Sequence, residues 1–309
     1  MKVIIVTYLK GASPFIEELK DRLRLNNFEV IIFDMFDMIT VSYIDNKSNI
    51  VSHISNKFLI KLFNIKLLGT IFRIIFYKIY FLVKPLKADH IAIHYALAFY
   101  TFFVSDFKKM SKKFSVCLWG SDFYRISRFK KRFMTKLYDS CHSIIFCNTV
   151  MAIDFIDFYK KISINKIQYT GFGIAKLDLI HSLSKSNSLE LMKNSLNIPK
   201  DKIIVSIGYN GSNAQQHLYI IEKISQLSRD MLSNLFLVIP FGYGGEVLYK
   251  NRIIEKLVHL GVEYNLYDEF LSDINVSKLR LCTDIVINAQ ISDAASASIQ
   301  EHLFSGNLV

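Results

Sequence analysis

The chain has 309 residues, enough for two domains of roughly 150 residues each, and its hydrophobic fraction of 51% with four prolines and twelve glycines excludes a disordered or low-complexity protein. Four cysteines, Cys117, Cys141, Cys147 and Cys282, form no CxxC pair and keep no histidine spacing, so neither a zinc site nor a disulfide framework is expected and a reducing cytoplasm fits them. Residues 1–170 hold 26 Lys+Arg against 13 Asp+Glu, a balance of +13, whereas residues 171–309 hold 12 against 14, a balance of −2; the first half therefore calls for an anionic partner.

Strand-like apolar runs that alternate with helical segments are the pattern of parallel α/β units. Lys2–Thr7 reads as a first strand, and residues 1–25 carry no secretion-signal cleavage pattern. Gly11-Ala12-Ser13 makes a turn, with Ser13 as N-cap and Pro14 opening an amphipathic helix that runs to Asn26. Phe28–Phe33 is a second strand. Asp89–His94, Phe114–Trp119, Ser143–Cys147 and Lys166–Tyr169 read as further strands separated by helices, which completes a Rossmann-like domain over residues 1–173.

Ahead of Asp89 lies the most hydrophobic stretch, Phe58–Val83, interrupted by Lys61, Lys66, Arg73 and Lys78. A membrane span needs about 20 nearly uncharged residues. An interfacial helix or helix pair with snorkelling lysines is expected instead, with Lys66, Arg73 and Lys84 on one side of the wheel; a buried core pair is the alternative. Basic residues interleaved with apolar ones, as in Phe72–Lys78, and the lack of a helix-turn-helix, RNP or zinc-finger pattern favour an anionic membrane surface over nucleic acid. A solvated basic face without a partner is the remaining alternative.

Residues 174–201 change character. Ser182, Ser184, Ser186, Asn187 and Ser188 cluster, and Asn197–Asp201 resembles a turn, so this segment is expected to be a linker. The alternation restarts over residues 202–309 with strands Lys202–Ile207, Leu235–Ile239, Val262–Tyr267 and Asp284–Asn288. Helices are expected over Asn213–Arg229, Gly245–Leu260, near Val276–Leu281 and over Asp293–Phe304. Ligands of open α/β sheets sit at the carboxyl ends of strands, so a deep cleft between two such domains is the expected site.

The strongest local signal runs from Asn288 through Gln290, Asp293, Ser296 and Ser298 to Glu301, with Gly306 and an apolar run beyond. It couples a strand through a small-residue loop to a Ser-rich helix start suited to phosphate or sugar hydroxyls. This resembles the donor signature of GT-B glycosyltransferases, especially the retaining family 4, in which two acidic residues are separated by seven positions. The resemblance implies that Asp293, where the family has Glu, binds hydroxyls of the donor sugar, and that Glu301 binds the nucleotide ribose. Two carboxylates on a solvated face are the alternative.

A second match is Gly208-Tyr209-Asn210-Gly211 followed by Asn213, Gln216 and His217, a glycine-rich turn suited to holding a diphosphate on backbone N–H groups. Family 4 places an Arg and a Lys hereabouts and this chain has neither. With Tyr243 and Gly244 downstream, the pattern looks more like the inverting bacterial Fuc4NAc transferases, so the stereochemical outcome stays open; an ordinary capped βα turn is the alternative reading. In the first domain Leu118–Arg125 resembles the strand-end motif of many GT-B enzymes. That likeness implies close ligand approach at Gly120 and a role for Asp122 in orienting or deprotonating the acceptor, with an N-cap as its alternative role. Gly11 and His94 fall on the same acceptor side.

The resemblance implies an α/β fold of GT-B type, two Rossmann-like domains with the second ending short of the family's last βα unit. It implies transfer from a nucleotide-diphosphate sugar to a polyprenyl-linked acceptor in surface-polysaccharide assembly, such as O-antigen or capsule, by a protein peripheral to the cytoplasmic face of the plasma membrane. No cofactor is expected, and the lack of an Asp-x-Asp motif points to metal-independent transfer. Two alternatives stand. A truncated, non-catalytic relative would bind nucleotide sugar and membrane without turnover, and a Rossmann oxidoreductase is disfavoured by the missing GxGxxG after the first strand.

Overall fold

The apolar run Val3–Val6 lets Lys2–Thr7 (β1) lie inside a sheet rather than at its edge. Val3 and Ile5 pack with Ile16, Val30 and Ile32 on one face, while Ile4 and Val6 are fully buried on the other. The computed structural model describes residues 1–8, 13–44, 47–54, 60, 61, 63, 65, 68–170, 173–290 and 296–309. The chain divides into two units, Met1–Gly173 and Ile174–Val309.

The first unit adds β2 (Glu29–Asp34), β3 (Ile39–Ile44), β4 (Lys47–Ser52), β5 (His90–His94), β6 (Phe114–Cys117), β7 (Ser143–Phe146) and β8 (Ile167–Tyr169). They form one sheet in the order β4-β3-β2-β1-β5-β6-β7-β8. β3 and β4 are antiparallel; the six strands from β2 to β8 run parallel. The edge hairpin was not among the expected strands. Its alternation, Ile39-Thr-Val41-Ser-Tyr43, is the period-2 signal of a strand with one covered face.

The helix Pro14–Leu25 has Pro at its first turn and takes the chain back across β1 and β2. The helix Leu68–Val83 turns Gly69, Arg73, Tyr77 and Phe81 inward, where the Tyr77 and Phe81 rings lie 5.7 and 5.5 Å from Phe33. Arg73 therefore departs from the expected membrane-facing basic side. It is 4% exposed, donates to the Phe36 carbonyl at 2.9 Å and the Tyr8 hydroxyl at 3.2 Å, and lies 4.6 Å over the Phe36 ring. Lys66 lies outside the described residues. No described helix is long and apolar enough to cross a membrane.

The second unit begins with the segment expected as a linker, and this expectation is corrected. Ala175–Ser186 and Leu189–Ser195 are helices. Ser188 caps the latter, its hydroxyl accepting from Leu191 N, so a serine that looked like loop composition is a helix start. Met192, Leu196 and Ile198 then bury against Ile204, Phe236, Val238 and Leu279. The strands β9 (Ile203–Ile207), β10 (Leu235–Pro240), β11 (Glu263–Tyr267) and β12 (Ile285–Ile287) follow, all parallel in the order β11-β10-β9-β12. The opposite face carries Val205, Ile207, Leu237 and Ile239 under Ile221, Ile253 and Leu257. Leu308 pairs beside Ile285 in parallel sense.

Replacing Arg73 by Ala strands the Phe36 carbonyl and the Tyr8 hydroxyl, which is expected to cost about 1–3 kcal/mol of folding stability. Arg73→Lys should recover only part of that, because an ammonium lacks the flat face laid over Phe36 and the separate Nε donor to the Phe63 carbonyl. Urea unfolding of the three proteins checks it; equal midpoints would show that the guanidinium is not holding this face together.

Candidate functional site

In the second unit the strand order reverses between β9 and β12, which opens a gap at their carboxyl ends. The chain leaving β9 crosses this gap in a tight loop. Asn210 Oδ1 accepts from Ser212 N at 2.9 Å, and Ser212 Oγ from Ala214 N at 3.3 Å. Gln216 then adopts a left-handed backbone, φ 58°, before the helix His217–Ile224. The single helix expected over Asn213–Arg229 is broken there, because a left-handed residue cannot continue a right-handed helix. Such a residue in a conformation that only glycine adopts at low cost marks a constrained, site-type position.

Side-chain amides stitch this loop to the one after β12. Tyr209 OH and Gln215 Nε2 both donate to Gln290 Oε1, the latter at 2.9 Å, and Gln216 Nε2 donates to the Ala289 carbonyl. A third loop closes from the other side. Gly211 N donates to the Tyr243 carbonyl at 2.8 Å, and a Cβ on Gly211 would sit 2.7 Å from Gly245 Cα, so only glycine fits there. Tyr243 stands 6.2 Å from Phe270, ring to ring, in the loop after β11, and the two are 54% and 75% exposed.

Gly208, Asn210, Gly211, Gln216, Tyr243, Gly244 and Gln290 thus come together at the carboxyl ends of β9, β10 and β12, with Asn213 in the same loop. Four of the N–H groups expected to cradle a diphosphate bond within the protein. Gly208 N donates to Ile287 O, Tyr209 N to Gln215 Oε1, Gly211 N to Tyr243 O and Ser212 N to Asn210 Oδ1. Tyr209, Gln215 and Phe270 were not among the expected residues. The first two flank residues already picked out, but Phe270 carries no local sequence signal.

The Ser-rich helix begins at Ala297, with Ser296 as its N-cap and Ser298 buried, its hydroxyl without a hydrogen bond. Asp293 lies outside the described residues. Glu301 is 4% exposed, and its carboxylate accepts from Arg280 Nε at 3.0 Å. Arg280 Nη1 also lies 3.0 Å from His302 Nε2, while Asn307 Nδ2 bonds the Arg280 carbonyl and His302 Nδ1 at 2.9 Å each. Through Oε2, Glu301 neutralises a buried cation. Nothing in a single sequence marks Arg280 as its partner.

In the first unit, Asp122 is 1% exposed. Its carboxylate accepts from Ala96 N at 2.7 Å and from Trp119 N and Gly120 N at 2.9 Å each. Burial raises its pKa to about 6, with these backbone donors pulling the other way. The expected base is corrected to a positioning residue, a brace between the loops after β5 and β6. Gly120 has φ 104°, which is why glycine stands there. His94 accepts from Trp119 Nε1 at 3.4 Å, and burial lowers its pKa to about 4, so it is neutral near pH 7. It borders a cavity of about 490 Å³ with Phe15, Leu19, Ala92, Cys117 and Trp119. Gly11 lies outside the described residues.

No protein-family model matches the sequence, and no curated protein matches it. Solved structures do. HepE of Anabaena in complex with UDP is 14% identical with a TM-score of 0.66, over 99% of this chain and 79% of that one. A glycosyltransferase of Rickettsia africae is 17% identical with a TM-score of 0.66, over 100% and 78%. The UDP-forming trehalose-phosphate synthase of Burkholderia xenovorans is 12% identical with a TM-score of 0.64, over 98% and 81%. The chain has the GT-B glycosyltransferase fold. Among the described residues of this GT-B chain, no group of three or more His, Cys, Asp or Glu is placed to hold a metal ion.

Two expectations follow for the GT-B units. Glu301→Ala leaves the Arg280 guanidinium buried without its counter-charge and should cost about 3–5 kcal/mol. Stability then falls more than nucleotide affinity does, and Arg280→Met together with Glu301→Leu should recover most of it in a urea melt. Additive losses in the double variant would sink that account.

The second expectation is acid sensitivity. Burial pushes His53, His94 and His217 down to about 4 and His302 to about 2. The unfolded chain, near 6.5, takes up protons first as pH falls. These histidines therefore contribute stability above pH 6.5 that is lost between 6.5 and 4. Asp122, raised to about 6, works in the opposite sense, since its contribution is greatest below 3.8 and is lost as pH rises through 6. With five lowered histidines, His90 among them, against Asp122 and Asp34, which burial also raises, the urea midpoint should drop from pH 7 to pH 4.5. A flat profile would contradict the neutral histidines.

Proposed function

We propose that this chain transfers a sugar from a nucleotide-diphosphate donor, held by the second unit, to a lipid-linked acceptor, and that it works as a peripheral protein on an anionic membrane at the cytoplasmic face. The observation that carries the reading is the convergence of the loops after β9, β10 and β12, the first and last tied through Gln290 and the first two through Gly211 N and the Tyr243 carbonyl. The fold is shared with HepE, whose structures hold UDP and UDP-glucose. In the reaction the bond from the sugar's anomeric carbon to the diphosphate oxygen breaks. The acceptor hydroxyl oxygen bonds that carbon and loses its proton, and negative charge gathers on the leaving diphosphate.

Stabilising that charge falls to neutral donors here, since Gly208–His217 contains no Lys or Arg. The reading assigns it to the second N–H of the Gln215 and Gln216 amides, whose first N–H groups bond Gln290 and the Ala289 carbonyl. Asp293 is assigned to donor-sugar hydroxyls, by resemblance. The exposed faces of Tyr243 and Phe270 offer the nucleotide base a stacking surface. Hexosyl transfer without a metal, in O-antigen or capsule assembly, completes the proposal.

The test is a nucleotide-sugar panel assayed with membranes and lipid-linked acceptors, with and without chelator. Consumption of one donor with transfer to lipid is expected, unchanged by chelator; no turnover across the panel by folded protein would sink the proposal. Calorimetric donor binding without turnover would point instead to a non-catalytic relative. Phe270→Ala should weaken nucleotide binding about tenfold while leaving stability alone, since base stacking on an aromatic ring contributes about 1–3 kcal/mol. Unchanged affinity would take the base away from this pair.

A further inference from the structure

The helix Leu68–Val83 is apolar on the wrong side. Opposite its buried Gly69, Arg73, Tyr77 and Phe81, it presents Leu68, Ile71, Ile75, Ile79 and Leu82 at helical spacing, each more than half exposed. A helix apolar all round is normally either fully buried or in contact with lipid. With 16 residues it is short of the roughly 20 that span a bilayer.

A second exposed helix stands nearby. Arg128–Phe133, sequence RFKKRF, has no buried residue. It packs on the segment Ala98–Phe103, which also carries Leu68–Val83. Phe102 stacks 5.2 Å from Phe133, while Tyr77 and Phe81 lie 6.2 and 5.9 Å from Phe103. Phe129 is 79% exposed, and Arg128, Lys130 and Arg132 are exposed beside it.

Charge selects what covers such a surface. Residues 68–136 carry fourteen Lys+Arg and three Asp. Asp106 is buried against Lys78 and Asp122 is buried in its brace, which leaves Asp89, bonded to Lys2 N. A cationic surface with protruding aliphatic and aromatic side chains matches the interface of an anionic bilayer, where apolar groups enter the acyl boundary and Lys and Arg stay among the headgroups.

We infer that the outer ridge of Leu68–Val83 and the helix Arg128–Phe133 together seat the first unit on anionic lipid. This rests on the membrane-side reading above and names the face that makes contact. It moves the contact away from Arg73, which the fold buries.

The experiment is co-sedimentation of the full chain with vesicles of phosphatidylcholine alone or mixed with phosphatidylglycerol. Compared with wild type are Ile75→Ser with Ile79→Ser, and Phe129→Ser with Lys130→Glu and Arg132→Glu. Lys185→Glu with Lys256→Glu, exposed residues of the second unit, is the charge control. Circular dichroism and soluble-nucleotide calorimetry are run on each.

Wild type should prefer anionic vesicles about tenfold or more and lose that preference in high salt, and each helix variant should bind about tenfold less while the control stays within about threefold. Equal binding to both vesicle types, or helix variants that bind like wild type, would overturn the inference. So would a concentration-dependent dimer that Ile75→Ser with Ile79→Ser dissolves without vesicle binding, since the ridge would then be a protein interface. Transfer to a detergent-solubilised lipid acceptor without vesicle binding would sink this surface and the membrane seat while sparing the proposed sugar transfer. Vesicle binding without transfer would do the reverse.

Discussion

A parallel strand must be covered on both faces, because both of its rows of side chains are apolar and its connections return over those faces. Much else in the chain follows from that demand. In the second unit it produces two separate cores on one four-stranded sheet, Val205 and Leu237 on one side, Ile204 and Phe236 on the other. In the first unit it draws the inner face of Leu68–Val83 against Phe33 on β2. That helix has more apolar residues than one sheet face can take. The surplus forms its exposed ridge, a surface outside the economy of the core.

The same arrangement explains where the buried charges sit. Strand ladders satisfy backbone groups along their length and stop at the carboxyl ends, where loops must find other partners. Asp122 serves three N–H groups in two such loops. Arg280, Glu301, His302 and Asn307 do comparable work between the helix Asp273–Cys282 and the end of the chain. A buried carboxylate with its oxygens engaged is a brace, and removing it strands what it holds. Asp122 is engaged through both of its oxygens and Glu301 through Oε2. Among the described residues, amides and a tyrosine hydroxyl face the gap between β9 and β12.

Structures at 10–17% identity superpose on this chain over nearly its whole length. Conservation of a pattern rather than of residues accounts for that: an apolar strand, a turn that reverses the chain and a helix with one apolar stripe can be written in many ways. The loops at the strand ends are free of that pattern. They carry the differences, here glutamines and asparagines in Gly208–His217 with no cation among them.

The sequence by itself determined the parallel strands and the repeat of βα units, though not the edge hairpin, since period-2 and period-3.6 hydrophobicity are local properties that need no partner to be read. It also determined the charge asymmetry and the placing of Gly208, Asn210, Gly211, Gln216, Tyr243 and Gln290 near one strand-end gap. Short serine-rich stretches misled it, because Ser188 as a helix cap and serine in a linker look alike until the following stripe is packed. Tertiary structure alone decided the fate of each charged residue. Arg73 was expected outward and is buried, and Asp122 and Glu301 were expected at ligands and hold backbone N–H groups and a guanidinium. The physical reason is that a charge's role depends on which donors and acceptors surround it. Those come from segments far apart in the chain, 26 residues apart for Asp122 and Ala96 and 21 for Arg280 and Glu301.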